Sequence, residues 1–136
     1  MSNWLLKTEP STYSYADLAR DQVTTWDGVK NPAALNNIRS MKNGDQAFIY
    51  HTGDEKAIVG VMKATGDAYP DPVDRSGKLY AVDVAPVEKL GRAVTLAEIK
   101  ADGRFTEFPL TRISRLSVMP VNAAEWKAIE GLSRKG

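Results

Sequence analysis

The chain of 136 residues has no cysteine and a single histidine. Without thiols there is no disulfide framework, no thiolate zinc site and no cysteine nucleophile. One imidazole is too few for a histidine-rich metal centre. Long apolar runs are missing as well, so no segment is expected to span a membrane. The opening residues, MSNWLLKTEP, lack the basic stretch and extended apolar core of a secretory signal, and a cytoplasmic location is expected. Charge of one sign is also scarce. Eighteen basic residues against 17 acidic ones leave a net +1, which argues against coating nucleic acid by bulk attraction and leaves room only for a local basic patch. No GxGxxG follows a strand, and no Walker A pattern or GxSxG elbow occurs, so phosphate-loop and nucleophile-elbow chemistries have no support. Repeats, low-complexity tracts and interdomain linkers are absent too.

The composition that remains, 43% hydrophobic and 26% charged, is that of a globular protein, and the length suits one domain over 1–136. The apolar run from Asn3 to Lys7 reads as a buried strand. Ser14 and Asp17 form a capping pair that opens a short helix over Tyr15 to Arg20, with Tyr13 placed to staple against Leu18. Asn31-Pro32 starts a second helix whose apolar face is Ala34, Leu35, Ile38 and Met41, with Asn43-Gly44 as its left-handed stop. QAFIYH (Gln46 to His51) and AIVGVMK (Ala57 to Lys63) read as neighbouring antiparallel strands across a turn. Leu79 to Val87 reads as a further strand, with Pro86 marking an edge or its end. Thr95–Glu98 and Asn122–Glu125 are capping pairs for two more helices, the last burying Trp126 and Ile129. Phe108 to Val118 is expected to hold one or two strands. The resulting order, β-α-α-β-β-β-α-β-α, is not a regular β-α alternation. It predicts an α+β fold with a curled, mostly antiparallel sheet or partly closed barrel.

Several aromatic and polar residues fall near element ends. Trp26 sits in TTWDGVKN, a connection that neither strand nor helix periodicity explains. It reads either as a lid over the core or as an aromatic wall for a planar ligand. Tyr50-His51-Thr52 ends a strand, Tyr69-Pro70-Asp71 lies in a proline-punctuated loop, and Arg115-Leu116-Ser117 precedes Pro120. For His51 the plain reading is a strand-end histidine bonded to the backbone.

Together these segments resemble the EVE domain family. The matching pieces are WLLKTEP from Trp4, Tyr13-Ser14, WDGVKNPAA from Trp26, MKNGDQAFIYHTG from Met41, IVGVMKATGDAYPDP from Ile58, LYAVDV from Leu79 and RLSVMPVNAAEWKAI from Arg115. They occur in the family's order and cover nearly the whole chain. Two positions depart from it: Lys30 stands where arginine is more usual, which keeps the charge and loses the planar fork, and Thr52 stands where serine is common.

The resemblance implies a PUA-like fold, a mixed, mostly antiparallel pseudo-β-barrel with short flanking helices related to the YTH and ASCH domains. It also implies a non-catalytic module that binds modified DNA or RNA; no cofactor, metal or membrane is expected, and a monomer is expected. An extruded base would recover stacking on an aromatic face, with Trp26 as the leading candidate and Tyr50 or Tyr69 completing the cage. Thr8, Glu9, Asn31, His51, Thr52 and Ser117 would supply donors and acceptors to the base edge. Phosphate contacts would fall to Lys7, Lys30 and Arg115, whereas Arg39 and Lys42 read as ordinary solvated surface. Val29, Pro70, Asp71 and Leu116 complete the expected site. Two other readings stand beside this one. The first is a protein-interaction domain with a vestigial pocket; the second is an enzyme on a nucleobase-like molecule with His51 and Glu9 or Asp71 as acid and base.

Overall fold

Strand β1 (Asn3–Thr8) is apolar because it is flanked on both sides. It pairs in parallel with β3 (Gln46–His51), from Asn3 opposite Gln46 to Thr8 opposite His51, and antiparallel with β7 (Val118–Val121). The computed structural model describes residues 1–134. From β3 the sheet continues antiparallel through β4 (Ala57–Ala64) and β6 (Tyr80–Thr95) to β2 (Thr24–Trp26), in the spatial order β2-β6-β4-β3-β1-β7. A two-residue β5 (Tyr69–Pro70) pairs with the start of β6. The fold is thus α+β, with antiparallel pairing throughout except between β1 and β3.

The helices start where local chemistry places them. In α1 (Tyr15–Asp21), α3 (Leu96–Ala101) and α5 (Ala123–Ser133) both hydrogen bonds of the capping box are made, by Ser14–Asp17, Thr95–Glu98 and Asn122–Glu125. In α2 (Pro32–Arg39) Asn31 caps and Pro32 takes the first turn. Ala34, Ile38 and Met41 are buried, as are Trp126, stacked on Phe48 with ring centroids 3.8 Å apart, and Ile129.

Four sequence expectations need correction. Helix α2 ends at Arg39 with Ser40 as its cap, four residues before Gly44, whose left-handed φ of 89° serves the turn into β3 instead. Pro86 does not end a strand: β6 runs through it for 16 residues, and the register against β4 slips beside it, between Val61 and Met62. A bulge is where a sheet tolerates a residue with no N–H. The segment Phe108 to Val118 holds no strand before Val118; Pro109 instead opens the four-residue helix α4 (Pro109–Arg112), behind a 3-10 turn at Gly103–Phe105. Finally, Thr24–Trp26 and Tyr69–Pro70 are short strands rather than loop, held only by their pairing with β6.

Bulges bend the long sheet. One of them, between Ile58 and Gly60, lets Tyr15 of α1 lie against bare backbone: a Cβ added at Gly60 would sit 2.4 Å from Tyr15 Cδ2. The consequence for function is the curl. Strands β1 and β2 stand four places apart in the sheet order, yet residues of both line one cleft.

Candidate functional site

The cleft has a volume of about 500 Å³ and opens to solvent. One wall comes from β2 and the turn after it: Thr24, Thr25, Trp26, Asp27, Gly28, Val29 and Lys30. The other comes from the end of β1 and the following turn (Lys7, Thr8, Glu9, Thr12, Tyr13), with Ser117 at the entry to β7. Trp26 is half-buried, with part of its ring packed on the core. The other two tryptophans are structural: Trp4, 6% exposed, donates its indole N–H to the buried Asp45 at 3.0 Å, and Trp126 is 8% exposed. Gly28, with φ of 75°, makes the turn that leads from Trp26 toward α2.

The walls are held from behind. Thr25 Oγ1 and the Tyr69 hydroxyl both donate to Asp83 Oδ1 of β6, at 2.9 and 2.7 Å, which fixes β2 against the sheet. Thr8 Oγ1 donates to the Tyr13 carbonyl at 2.7 Å, tying the end of β1 to the turn. The Tyr13 hydroxyl donates to Asp21 Oδ2 at 2.9 Å, and burial pushes the phenol above its ordinary pKa, so it stays protonated.

Glu9 brings the charge. Its Oε1 accepts from the Ser11 N–H and hydroxyl at 3.2 and 3.1 Å, and its Oε2 from Thr52 Oγ1 at 3.2 Å. The Ser11 backbone bond, above all, holds this exposed carboxyl below the usual carboxylate range. It is therefore an ionised acceptor at the cleft. Lys7, on β1, borders the cleft with its ammonium donating to the Ser114 carbonyl at 2.9 Å; Lys30 is exposed.

Of the expected site residues, the structure brings seven into the cleft: Lys7, Thr8, Glu9, Trp26, Val29, Lys30 and Ser117. Asn31 stands just beyond it, its Oδ1 accepting from the Ala33 and Ala34 N–H groups as the cap of α2. Tyr50 is buried and lines a different cavity together with Thr52. His51 is 7% exposed and fully engaged: Nε2 accepts the Tyr15 N–H at 3.1 Å and Nδ1 meets Glu55 Oε1 at 2.7 Å. That arrangement places the ring proton on Nδ1 and leaves no free nitrogen for acid–base work. Tyr69 supports the cleft through Asp83 without lining it, while Pro70 pairs with Tyr80 and Asp71 accepts from the Val73 N–H. Leu116 is buried and Arg115 exposed, and neither lines the cleft. Arg39 lies over the Tyr80 ring at 5.1 Å, at another cavity.

The second aromatic residue of the cleft is thus Tyr13, which sequence reasoning placed only as a helix staple. Its spacing ahead of Ser14 signals the staple; nothing local signals that the curled sheet brings Trp26 to it. Among the described residues no cluster of His, Asp and Glu has the makings of a metal site, and no helix is long and apolar enough to cross a membrane.

Comparison with known proteins settles the family: the EVE domain matches residues 2–132. The chain is an EVE domain protein. Human thymocyte nuclear protein 1 is 32% identical to this EVE domain over 168 residues, spanning 98% of this chain and 75% of its own length. The solved structure of the human protein in complex with 5-methylcytosine-containing DNA is similar with a TM-score of 0.92, at 32% identity, over 100% of this chain and 99% of that one. Rpa0253 from Rhodopseudomonas palustris gives a TM-score of 0.93 at 40% identity, over 98% of this chain and 93% of that one. The YTH domain of Zygosaccharomyces rouxii MRB1, with a TM-score of 0.58 and 13% identity over 98% of this chain and 87% of that one, shares the fold.

Proposed function

We propose that this EVE domain reads a modified base in DNA, taking the base out of the helix and into the Trp26 cleft. The observation that carries the proposal is the half-buried indole of Trp26 in an open cleft of about 500 Å³ whose lining also includes Tyr13 and an ionised acceptor, Glu9. An extruded base loses its stacking, and an aromatic face returns roughly 1–3 kcal/mol per base. Trp26 supplies that face. Glu9 accepts from an exocyclic amine such as the one on cytosine, a pairing a carboxylate makes well. The hydroxyls of Thr8, Thr24 and Ser117 and the charge of Lys30 serve the remaining polar edge and the backbone. The human relative bound to 5-methylcytosine DNA supports this reading and names the first ligand to try.

Because Trp4 and Trp126 are buried, added quencher reaches chiefly Trp26. Titrating a short DNA duplex with one 5-methylcytosine should protect that fluorescence from iodide. The unmodified duplex should bind about tenfold more weakly, since one methyl in an apolar pocket is worth roughly 1–3 kcal/mol. Equal affinity for both duplexes, with Trp26 left open to quencher, refutes the proposal.

A further inference from the structure

A second cavity, of about 300 Å³, meets the Trp26 cleft at Lys7. Its lining includes three lysines and no acid: Lys7 from β1, Lys56 from the β3–β4 turn and Lys100 from α3, with Ser114 closing it. Among the described residues none of the three lysines has a carboxylate within 4 Å, although ion pairs form elsewhere on the surface. Lys7 makes one hydrogen bond, to the Ser114 carbonyl at 2.9 Å, and its ammonium lies 5.7 Å from the Tyr50 ring centroid. An ammonium has three donors, so two remain. The nearby hydroxyls of Thr52 and Thr111 already donate to protein acceptors, which leaves the lysines and Ser114 Oγ to meet a ligand. Glu9, which lines the Trp26 cleft, accepts from Thr52 Oγ1 at 3.2 Å and is not among the residues lining this cavity.

Three lysines without a carboxylate partner, lining one cavity that has no acid in its lining, form a site for a compact multivalent anion. Burial already lowers the pKa of Lys7, so a bound anion would relieve the cost of its charge. We propose that this cavity is a phosphate-binding site, and that its phosphate is a backbone group of the same strand whose base enters the Trp26 cleft. The assignment of the phosphate to that strand rests on the base-reading function; the phosphate site itself does not.

Two arms test this. In the first, the intact protein is titrated with inorganic phosphate at constant ionic strength and followed by heteronuclear NMR. Shifts should localise at Gly53, Thr111 and Ser114 and disappear in the Lys56→Gln/Lys100→Gln double variant, whose substitutions are both on the surface. Shifts that do not localise there, or that persist in the variant, overturn the phosphate site. In the second arm the methylated duplex is titrated across a salt series. The double variant should bind about tenfold more weakly, with its log–log salt slope reduced by about 0.7–0.9, the value for one phosphate contact. Protection of Trp26 at saturation should be unchanged. Phosphate shifts accompanied by an unaltered duplex affinity and slope overturn the assignment to the strand and make the ligand a free phosphorylated molecule. Failure of the wild-type protein to bind any duplex counts against the base-reading function instead, and the first arm still decides the site.

Discussion

Replacing Trp26 by alanine separates the base-reading cleft from general affinity for nucleic acid. The main chain of residue 26 pairs with Val82 on β6, and alanine keeps that pairing. The indole is half-buried, with one part packed on the core and the rest facing the cleft. Loss of the packed part should lower stability by about 1–2 kcal/mol, leaving the domain folded. Loss of the stacking face should weaken binding of a methylated duplex by about 1–3 kcal/mol, roughly a five- to 150-fold rise in Kd. Stacking releases no counterions, so the plot of log affinity against log salt should shift downward with its slope unchanged, whereas loss of a phosphate contact changes the slope. The assay is fluorescence anisotropy of a labelled duplex at several salt concentrations, with thermal unfolding as the control for folding. Trp26→Phe, which keeps a ring, should recover most of the affinity. A folded Trp26→Ala protein that binds with wild-type affinity, or one whose loss appears wholly as a change of slope, refutes the role given to the indole.

Other predictions concern the scaffold. Asp45→Ala should destabilise the protein by about 3 kcal/mol in chemical denaturation, because the buried carboxylate accepts from the Trp4 indole and from the Ser2 and Lys42 N–H groups, all at 3.0 Å; a loss below 1 kcal/mol contradicts this. Gly60→Ala forces Tyr15 aside and should lower stability by about 2 kcal/mol, the scale of overpacking, with NMR shifts reaching His51 through the Tyr15 N–H bond. Glu98 is held at a pKa of about 2, against an ordinary 4.5, first by the hydrogen bond from Arg92 and then by the Thr95 N–H. Because the folded-state pKa is the lower one, the contribution of Glu98 is complete above about pH 4.5 and is lost as pH falls toward 2. Glu98→Gln should therefore flatten the stability–pH curve across that window, and an unchanged curve would show that the Arg92–Glu98 pair adds nothing.

What could be read from the chain depended on the range over which each feature is decided. The three capping boxes and the Asn31-Pro32 start form bonds within three residues, so the helix starts were legible. Strands β3 and β4 were legible because a short turn joins two apolar runs. Strands β2 and β5 were not: at three and two residues they have no periodicity, and only β6 defines them. The continuation of β6 past Pro86 depended on a bulge that is a property of the pair rather than of either strand. His51 and Tyr50 fell at a strand end, as the sequence suggests, but which cavity a strand end faces is set by what packs over it.

Sequence alone determined the inventory of elements that cap themselves, the absence of thiol chemistry, and the family, whose motifs run in order along the chain. It also singled out Trp26 as a residue that local patterning left unexplained. The tertiary structure decided which residues share a site. Strands β1 and β2 are four places apart in the sheet, and the curl of the bulged sheet closes them around one cleft, so that Tyr13 rather than Tyr50 or Tyr69 shares it with Trp26. The physical reason is one of range: a cap or a turn is settled by neighbours along the chain, whereas the closure of a sheet depends on the summed twist and bulging of every strand between its ends.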